Sequence, residues 1–192
     1  MSLDKAVYVH SSGLKVIPSS LSLDEKFPAA LITKAIKKLV TEYSTVLVDS
    51  APGLSKEALA VMQGCERVLV VTNPEIPAVT DAIKTIDCAT QKYKKYVIGV
   101  VLNKVTGAKY ELSKEEIERI LGQPVIAVIP NDQIVAEAIA AKTPVVMYAP
   151  NSAPAIAIKQ LAARIAEKPY AGPTASSDQV SFIRRFLNKL FG

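Results

Sequence analysis

The fold of this 192-residue chain is decided by the stretch Val68-Leu69-Val70-Val71-Thr72-Asn73-Pro74. Its first five residues favour a β-strand, and apolar side chains at consecutive positions indicate a strand covered on both faces. Asn73-Pro74 ends this strand in a turn, because proline cannot donate to the hydrogen bonds of a central strand. A strand buried on both faces is typical of a parallel sheet with helices packed on each side.

The sequence on either side alternates strands with helices. Further apolar strands are predicted at residues 46–49, 97–102, 125–129 and 145–147, after an edge hairpin formed by residues 6–9 and 14–18. Helices are predicted from apolar residues at helical spacing over residues 28–43, 55–64, 77–94, 113–121, 132 onward and 153–167. Ser55 is the predicted cap of the second of these helices, and Ser113-Lys114-Glu115-Glu116 is a capping box that begins the fourth. This alternation predicts an α/β fold with a doubly wound, mostly parallel sheet and helices on both faces.

Composition narrows the class of protein. Apolar residues make up 49% of the chain and charged residues 21%, enough for a core and too much charge for a membrane-spanning protein. The amino terminus does not begin a secretory signal, so we expect a cytoplasmic protein. Cys65 and Cys88 match no metal-binding spacing, and His10, the only histidine, is predicted to lie on the surface.

Polar or turn residues follow several of the predicted strands. Asp49 ends one strand and enters the turn Ser50-Ala51-Pro52-Gly53, and Asn73, Asn103 and Pro130 stand at the ends of others. Ligands of parallel α/β sheets bind at these carboxyl ends. An acid in the position of Asp49 holds magnesium through water in nucleotide-hydrolysing sites. Asp49 bonded to the amides of its own turn, and Asn103 capping its own strand, are the alternatives.

The carboxyl terminus has a different character. Residues 168–180 are rich in proline, glycine and serine and read as a flexible linker. Residues 181–192 predict an amphipathic helix, with Phe182, Ile183, Phe186, Leu187, Leu190 and Phe191 on one face and Arg184, Arg185 and Lys189 on the other. These three basic residues account for +3 of the net charge of +5. Such a helix is typical of membrane targeting, and docking on its own domain or on a partner is the alternative.

Together these motifs resemble the MinD/ParA family of P-loop ATPases, whose phosphate loop is a deviant form. The matching segments are residues 46–54, 71–75, 101–104, 128–132 and 182–192, in family order. The resemblance implies that residues 1–167 form an ATPase domain that binds ATP and Mg²⁺. Asp49 would bind the metal through water and, with Gly53 in the switch of residues 50–53, act in catalysis. Asn103 would recognise the adenine edge, Pro130 would form the wall beside it, and Asp49 and Asn103 would share one groove.

The resemblance also implies partners and a place in the cell. Members of the MinD type dimerise with ATP, attach peripherally to the inner face of the membrane through the terminal helix, and regulate the site of division. We therefore expect an anionic membrane surface, a second copy of the chain and a protein activator or division regulator as partners, and no specific nucleic acid.

One departure from the family pattern concerns the phosphates. None of the eight glycines forms a G-x-x-x-x-G-K-[ST] loop, and the family's opening strand, loop lysine and first switch would all precede Asp4. The chain corresponds to the later two-thirds of a family member, through truncation or through genuine loss of the loop. We expect little ATPase activity from it alone. A non-catalytic membrane adaptor and a ParA-like partitioning protein are the alternatives, and the family's iron–sulfur carriers would need an absent C-x-x-C pair.

Overall fold

The computed structural model of the chain describes residues 7–10, 12–18 and 29–172. These residues divide into two compact units, residues 1–66 (unit 1) and residues 67–192 (unit 2). The predicted terminal helix and most of the predicted linker lie outside the described residues, so both stay predictions. Among the helices that are described, none is long and apolar enough to span a lipid bilayer.

Unit 1 contains the predicted hairpin and two helices. Strand β1 (Tyr8–Val9) pairs antiparallel with β2 (Lys15–Val16) across a turn that includes Gly13. Helix α1 comprises Ala29–Glu42 and α2 comprises Lys56–Gly64. The hairpin and both helices are confirmed.

Close packing joins α1 to α2 inside unit 1. The hydroxyl of Thr33 donates to the carbonyl oxygen of Ala60 at 2.9 Å. A Cβ at Gly64 would lie only 3.0 Å from Cδ1 of Ile36, so glycine allows the two helices to approach at this point. Ser55 caps α2 as predicted, because its side chain accepts a hydrogen bond from the amide of Ala58.

The predicted strand at residues 46–49 is wrong. Residues 45–50 have no regular secondary structure, and Leu47 is 83% exposed. A β-strand needs a ladder of hydrogen bonds to a neighbouring strand, and no described residue supplies one to this segment. The apolar pattern was correct for a strand, but the pattern alone does not provide the partner.

Unit 2 is built on a three-stranded parallel sheet in the order β3-β4-β5. The strands are β3 (Arg67–Thr72), β4 (Tyr96–Val105) and β5 (Val125–Pro130). The helices are α3 (Ile76–Asp87), which continues into a π-helical turn (Cys88–Lys92), α4 (Lys114–Leu121), α5 (Gln133–Ala140), α6 (Val145–Tyr148) and α7 (Ala153–Ile165). This parallel sheet flanked by helices confirms the predicted α/β class.

The central strand β4 forms the core of unit 2. Val100, Val101 and Leu102 are at most 2% exposed. At Gly99 the backbone has φ +148°, and a Cβ there would lie 2.6 Å from Cγ2 of Ile126 on β5. Glycine is therefore required where β4 and β5 approach, beside an irregularity in the register between β3 and β4.

The predicted strand at residues 145–147 is also wrong, because this segment forms α6. Val145 packs with Ala138 and Ala155 in a small core, and the amide of Tyr148 donates to the carbonyl oxygen of Pro144 at 2.9 Å. A run of three apolar residues fits a strand or a helical turn equally well, and packing against α5 and α7 decides between them.

Candidate functional site

A cleft of about 840 Å³ lies within unit 2, beside the C-terminal halves of the strands and helices α5 and α7. Its lining is mainly apolar, with a small number of polar side chains, as is usual for sites that hold small organic ligands. The lining residues include Val71, Val101, Asn103, Lys104, Ile129, Pro130, Asp132, Ile139, Ile158 and Leu161. The cleft therefore brings Asn103 and Pro130 together, as their places at strand ends predicted.

Asn103 supplies a free polar group to the cleft, which the side chains of Lys104, Asn131 and Gln133 also line. It is half-buried near the end of β4, and its side-chain amide makes no hydrogen bond to the described residues. If Asn103 capped its own strand, such a bond would be present, so the structure does not support that alternative. An amide that can both donate and accept is available to a ligand here.

The strand ends that carry Asn103 and Pro130 are held together by backbone contacts. Val105 is in register with Pro130, and the amide of Asn131 donates to the carbonyl oxygen of Val105 at 2.8 Å. Lys104, which stands between Asn103 and Val105 in the chain, has φ +56°, an uncommon conformation for a residue with a side chain. This exposed lysine lines the cleft, and the sequence analysis did not single it out, although it directly follows Asn103.

A single carboxylate organises the loop that follows β4. Glu111 accepts hydrogen bonds from the amide of Thr106 at 2.9 Å, from its hydroxyl at 2.7 Å and from the amide of Gly107 at 2.7 Å. The next residue, Leu112, donates its amide to the carbonyl oxygen of Pro74 at 2.9 Å, which ties the loop to the turn after β3. Sequence reasoning missed Glu111, because nothing in its local sequence indicates where its side chain points.

Asp132 has a structural task at the edge of the cleft. Its Oδ1 accepts a hydrogen bond from the amide of Ile134 at 2.9 Å and so caps the first turn of α5. Helix α5 carries Ile139, which lines the cleft although it is largely exposed. The cap thus fixes one wall of the cleft.

Asp49 and Gly53 belong to unit 1 and are described there by themselves. The Asp49 carboxylate is exposed and makes no hydrogen bond or ion pair to the described residues, so bonding to the amides of its own turn is not observed. Gly53 has φ +74°, a conformation that favours glycine. The groove expected between Asp49 and Asn103, and the roles of all four predicted site residues, stay predictions.

The donor set around Asp49 limits how a metal could bind. Among the residues that the structure describes, no group of three or more His, Cys, Asp or Glu side chains could hold a metal ion. A single free carboxylate fits Mg²⁺, which commonly keeps several waters and takes one or two carboxylates together with the phosphates of its nucleotide. The residues present are therefore compatible with magnesium held chiefly by water and a ligand.

Within residues 7–10, 12–18 and 29–172, two carboxyl groups show a clear change of pKa. The backbone amide and hydroxyl of Ser113 donate to Glu116 and lower the pKa of its carboxyl. The pKa of Glu57 is lowered by hydrogen bonds from the backbone amide of Glu57 itself and from the Ser55 hydroxyl. Both are fully exposed residues in the first turns of helices. Their shifts reflect helix capping, so neither is a candidate for acid or base catalysis.

Comparison with known proteins identifies the family of this chain. The profile of the CobQ/CobB/MinD/ParA nucleotide binding domain matches residues 27–145. The chain belongs to this family. Over 97% of its length it is also 36% identical to an uncharacterized ATP-binding protein of Methanocaldococcus jannaschii, of which it covers 71%.

Relatives in the MinD branch of the family are more distant in sequence. The chain is 29% identical to the septum site-determining protein MinD of Thermotoga maritima over 62% of the chain and 46% of that protein. Among solved structures, MinD of Pyrococcus horikoshii complexed with Mg-ADP superposes with a TM-score of 0.80 at 27% identity, over 86% of this chain and 69% of that one. MinD of Pyrococcus furiosus superposes with a TM-score of 0.79 at 29% identity, over 85% and 70%. These matches confirm the MinD/ParA resemblance and the fold expected from it.

Proposed function

We propose that this chain is a MinD/ParA-type ATPase polypeptide that binds an adenine nucleotide in the cleft of unit 2. The observation that carries the proposal is the half-buried Asn103 amide, which lines an apolar cleft and has no partner among the described residues. A half-buried amide beside apolar walls suits a flat base, because the walls can contact the faces of the ring and the amide can hydrogen-bond to the polar edge of the base. Membership of a nucleotide-binding family supports the same ligand.

The residues would divide the work as follows. Asn103 donates to and accepts from the adenine edge, and Pro130 packs beside the ring. Asp49 binds Mg²⁺ through water, and the turn that ends at Gly53 senses the terminal phosphate. When bound, the metal would neutralise phosphate charge during transfer to water. The Mg-ADP complex of the Pyrococcus horikoshii relative supports this choice of ligand and metal.

These 192 residues contain few groups that could bind the phosphates of the nucleotide. No G-x-x-x-x-G-K-[ST] loop is present among them. We therefore propose that a polypeptide of this sequence binds adenine nucleotides chiefly through the base, weakly, with Kd on the order of 1 mM. Robust magnesium-dependent hydrolysis by this polypeptide alone would contradict the assignment.

Isothermal titration calorimetry with AMP tests the base site. Asn103→Ala should weaken AMP binding about fivefold or more, since about 1 kcal/mol is lost with a hydrogen bond of this kind. Gln91→Ala, an exposed amide in the π-helical turn at the opposite end of the sheet, is the matched control and should leave the affinity unchanged. Equal affinities of the two variants would remove Asn103 from the site.

We also propose that the protein attaches peripherally to the inner face of the cell membrane through residues 181–192 and acts in the spatial regulation of cell division. The amphipathic pattern of that segment and the septum site-determining relatives support this role. One such helix would bind weakly and two on a dimer far more tightly, which makes nucleotide-driven dimerisation an effective control. A protein activator or division regulator would then set the timing.

Vesicle co-sedimentation tests the membrane part. Phe182→Glu with Phe186→Glu places two charges on the apolar face and should abolish most binding to anionic vesicles. Asn188→Glu with Ser181→Glu adds the same charge outside the apolar stripe and is the control. If both double variants bind like the original sequence, residues 181–192 do not anchor the protein.

A non-catalytic membrane adaptor is the second candidate function. The fold and the predicted terminal segment would serve an adaptor without any nucleotide turnover. Vesicle binding by a polypeptide that shows no AMP binding in calorimetry would select the adaptor, whereas vesicle binding together with AMP binding that depends on Asn103 would select the nucleotide-binding protein.

A further inference from the structure

Positive charge gathers at the end of unit 2 opposite to the cleft. We define the basic rim as Arg67, Lys92, Lys94, Lys95 and Lys168, together with the exposed Tyr96. Arg67 begins β3 and is in register with Tyr96, which begins β4. Because the three strands are parallel, this rim lies at their amino-terminal ends and the cleft at their carboxyl-terminal ends.

The backbone fixes the lysine run of the rim (Lys92, Lys94 and Lys95) at this end. The π-helical turn ends at Lys92, Lys94 takes a left-handed conformation with φ +52°, and the amide of Lys95 donates to the carbonyl oxygen of Ala89 at 2.8 Å. The chain therefore reverses here and enters β4 directly. Tyr96 is 65% exposed, so an aromatic ring lies beside the basic side chains at the surface.

Acidic residues only partly offset this charge. Glu167 lies 3.7 Å from Arg67, but both side chains are largely exposed, and such pairs contribute little. Glu66, which precedes Arg67, and Asp87, one helical turn before the π-helical turn ends, are also exposed. Arg164 and Glu118, which contact the backbone at the start of β5, add one charge of each sign, so this end keeps a net positive charge.

The last helix described in unit 2 ends at this rim. Helix α7 ends at Ile165, and the contact of Glu167 with Arg67 places the following residues beside the start of β3. Residues 168–180 then lead to the amphipathic segment 181–192. The chain therefore enters residues 168–180 beside the basic rim.

We propose that the basic rim is a second membrane contact, which rests on anionic lipid headgroups while residues 181–192 insert. This inference depends on the membrane role proposed above. Lysines beside an exposed tyrosine match a lipid interface, where aromatic rings lie at headgroup level and ammonium groups are attracted to anionic lipid. Nucleic-acid recognition relies more on the planar fork of arginine, and this rim has only one.

One consequence is an orientation. With the amino-terminal ends of the strands against the membrane, the cleft at the other end opens toward the solvent. Nucleotide and partner proteins in solution would then reach the cleft while the protein stays on the membrane.

The test is co-sedimentation of the full chain with vesicles of phosphatidylserine and phosphatidylcholine at low salt. The rim variant Lys92→Gln, Lys94→Gln, Lys95→Gln should lower the partition coefficient about tenfold or more. The control Lys34→Gln, Lys37→Gln, Lys38→Gln removes the same charge from exposed positions on α1 and should change it less than about threefold. Circular dichroism should show equal melting of both variants.

The outcomes separate the two proposals. If the original chain binds vesicles and the rim variant binds like the control, the rim is not a membrane contact and the anchor stands. If the original chain does not bind vesicles at all, the membrane role fails and the rim proposal with it. If the rim variant loses affinity for duplex DNA in fluorescence anisotropy while its vesicle binding equals the control, the rim is a nucleic-acid surface and the proposal is overturned.

Discussion

Glu111 shows how one residue can position a site that it does not line. Its carboxylate accepts from Thr106 and Gly107, which begin three residues after Asn103. A carboxylate can satisfy several donors at once, and bonds to charged acceptors are the stronger ones. The base-recognition strand end is therefore held by a residue eight positions further along the chain.

We predict that Glu111→Gln loosens this loop. The neutral amide has one acceptor oxygen instead of two, so at least one of the Thr106 and Gly107 amides loses its partner, at a cost of about 1–2 kcal/mol. Hydrogen exchange at these amides should accelerate, and urea unfolding should show the lost stability. Glu115→Gln, an exposed neighbour, is the control. Unchanged exchange at Thr106 and Gly107 would show that Glu111 does not hold the loop.

At the scale of elements, helix α4 is specified by its own ends. Ser113 and Glu116 form the predicted capping box, and Gly122 ends the helix in a left-handed conformation with φ +60°. Both features depend on residues close together in sequence, so they could be predicted. The start of α2 at Ser55 was predictable for the same reason.

Capping also gives α4 a pH dependence. The pKa of Glu116 is lowered in the folded state, so its contribution to stability is full above the ordinary glutamate pKa of about 4.3 and is lost as pH falls through the lowered value. Glu116→Gln should therefore be less stable than the original chain at pH 7 and equally stable at pH 2, measured by urea unfolding. A difference that does not change with pH would exclude the charge of Glu116 as its cause.

The elements that could not be predicted depend on distant partners. Residues 46–49 have the pattern of a strand but lack a neighbouring ladder, and residues 145–147 form a helical turn because α5 and α7 pack around Val145. The helix predicted over residues 77–94 divides into α3 and a π-helical turn. In each case the short-range pattern was compatible with more than one structure, and tertiary contacts selected one.

For the whole molecule, the sequence predicted the class of fold and two of the residues that meet in the cleft. Parallel strands place Asn103 and Pro130 at one edge, so their proximity follows from topology. The distribution of charge did not follow from sequence. A count of charged residues along the sequence located the excess positive charge in residues 181–192. The fold also brings Arg67, which precedes Tyr96 by 29 positions, beside the lysines at the start of β4.

The central claim is that the cleft of unit 2 binds the adenine base. The most direct measurement is a nuclear magnetic resonance titration of the ¹⁵N-labelled chain with AMP, with GMP as the control nucleotide. The account predicts that AMP shifts the Asn103 side-chain amide and the backbone amides of Ile129 and Asn131, and that GMP shifts them much less. Equal shifts with both nucleotides, or shifts confined to residues outside the cleft, would contradict it.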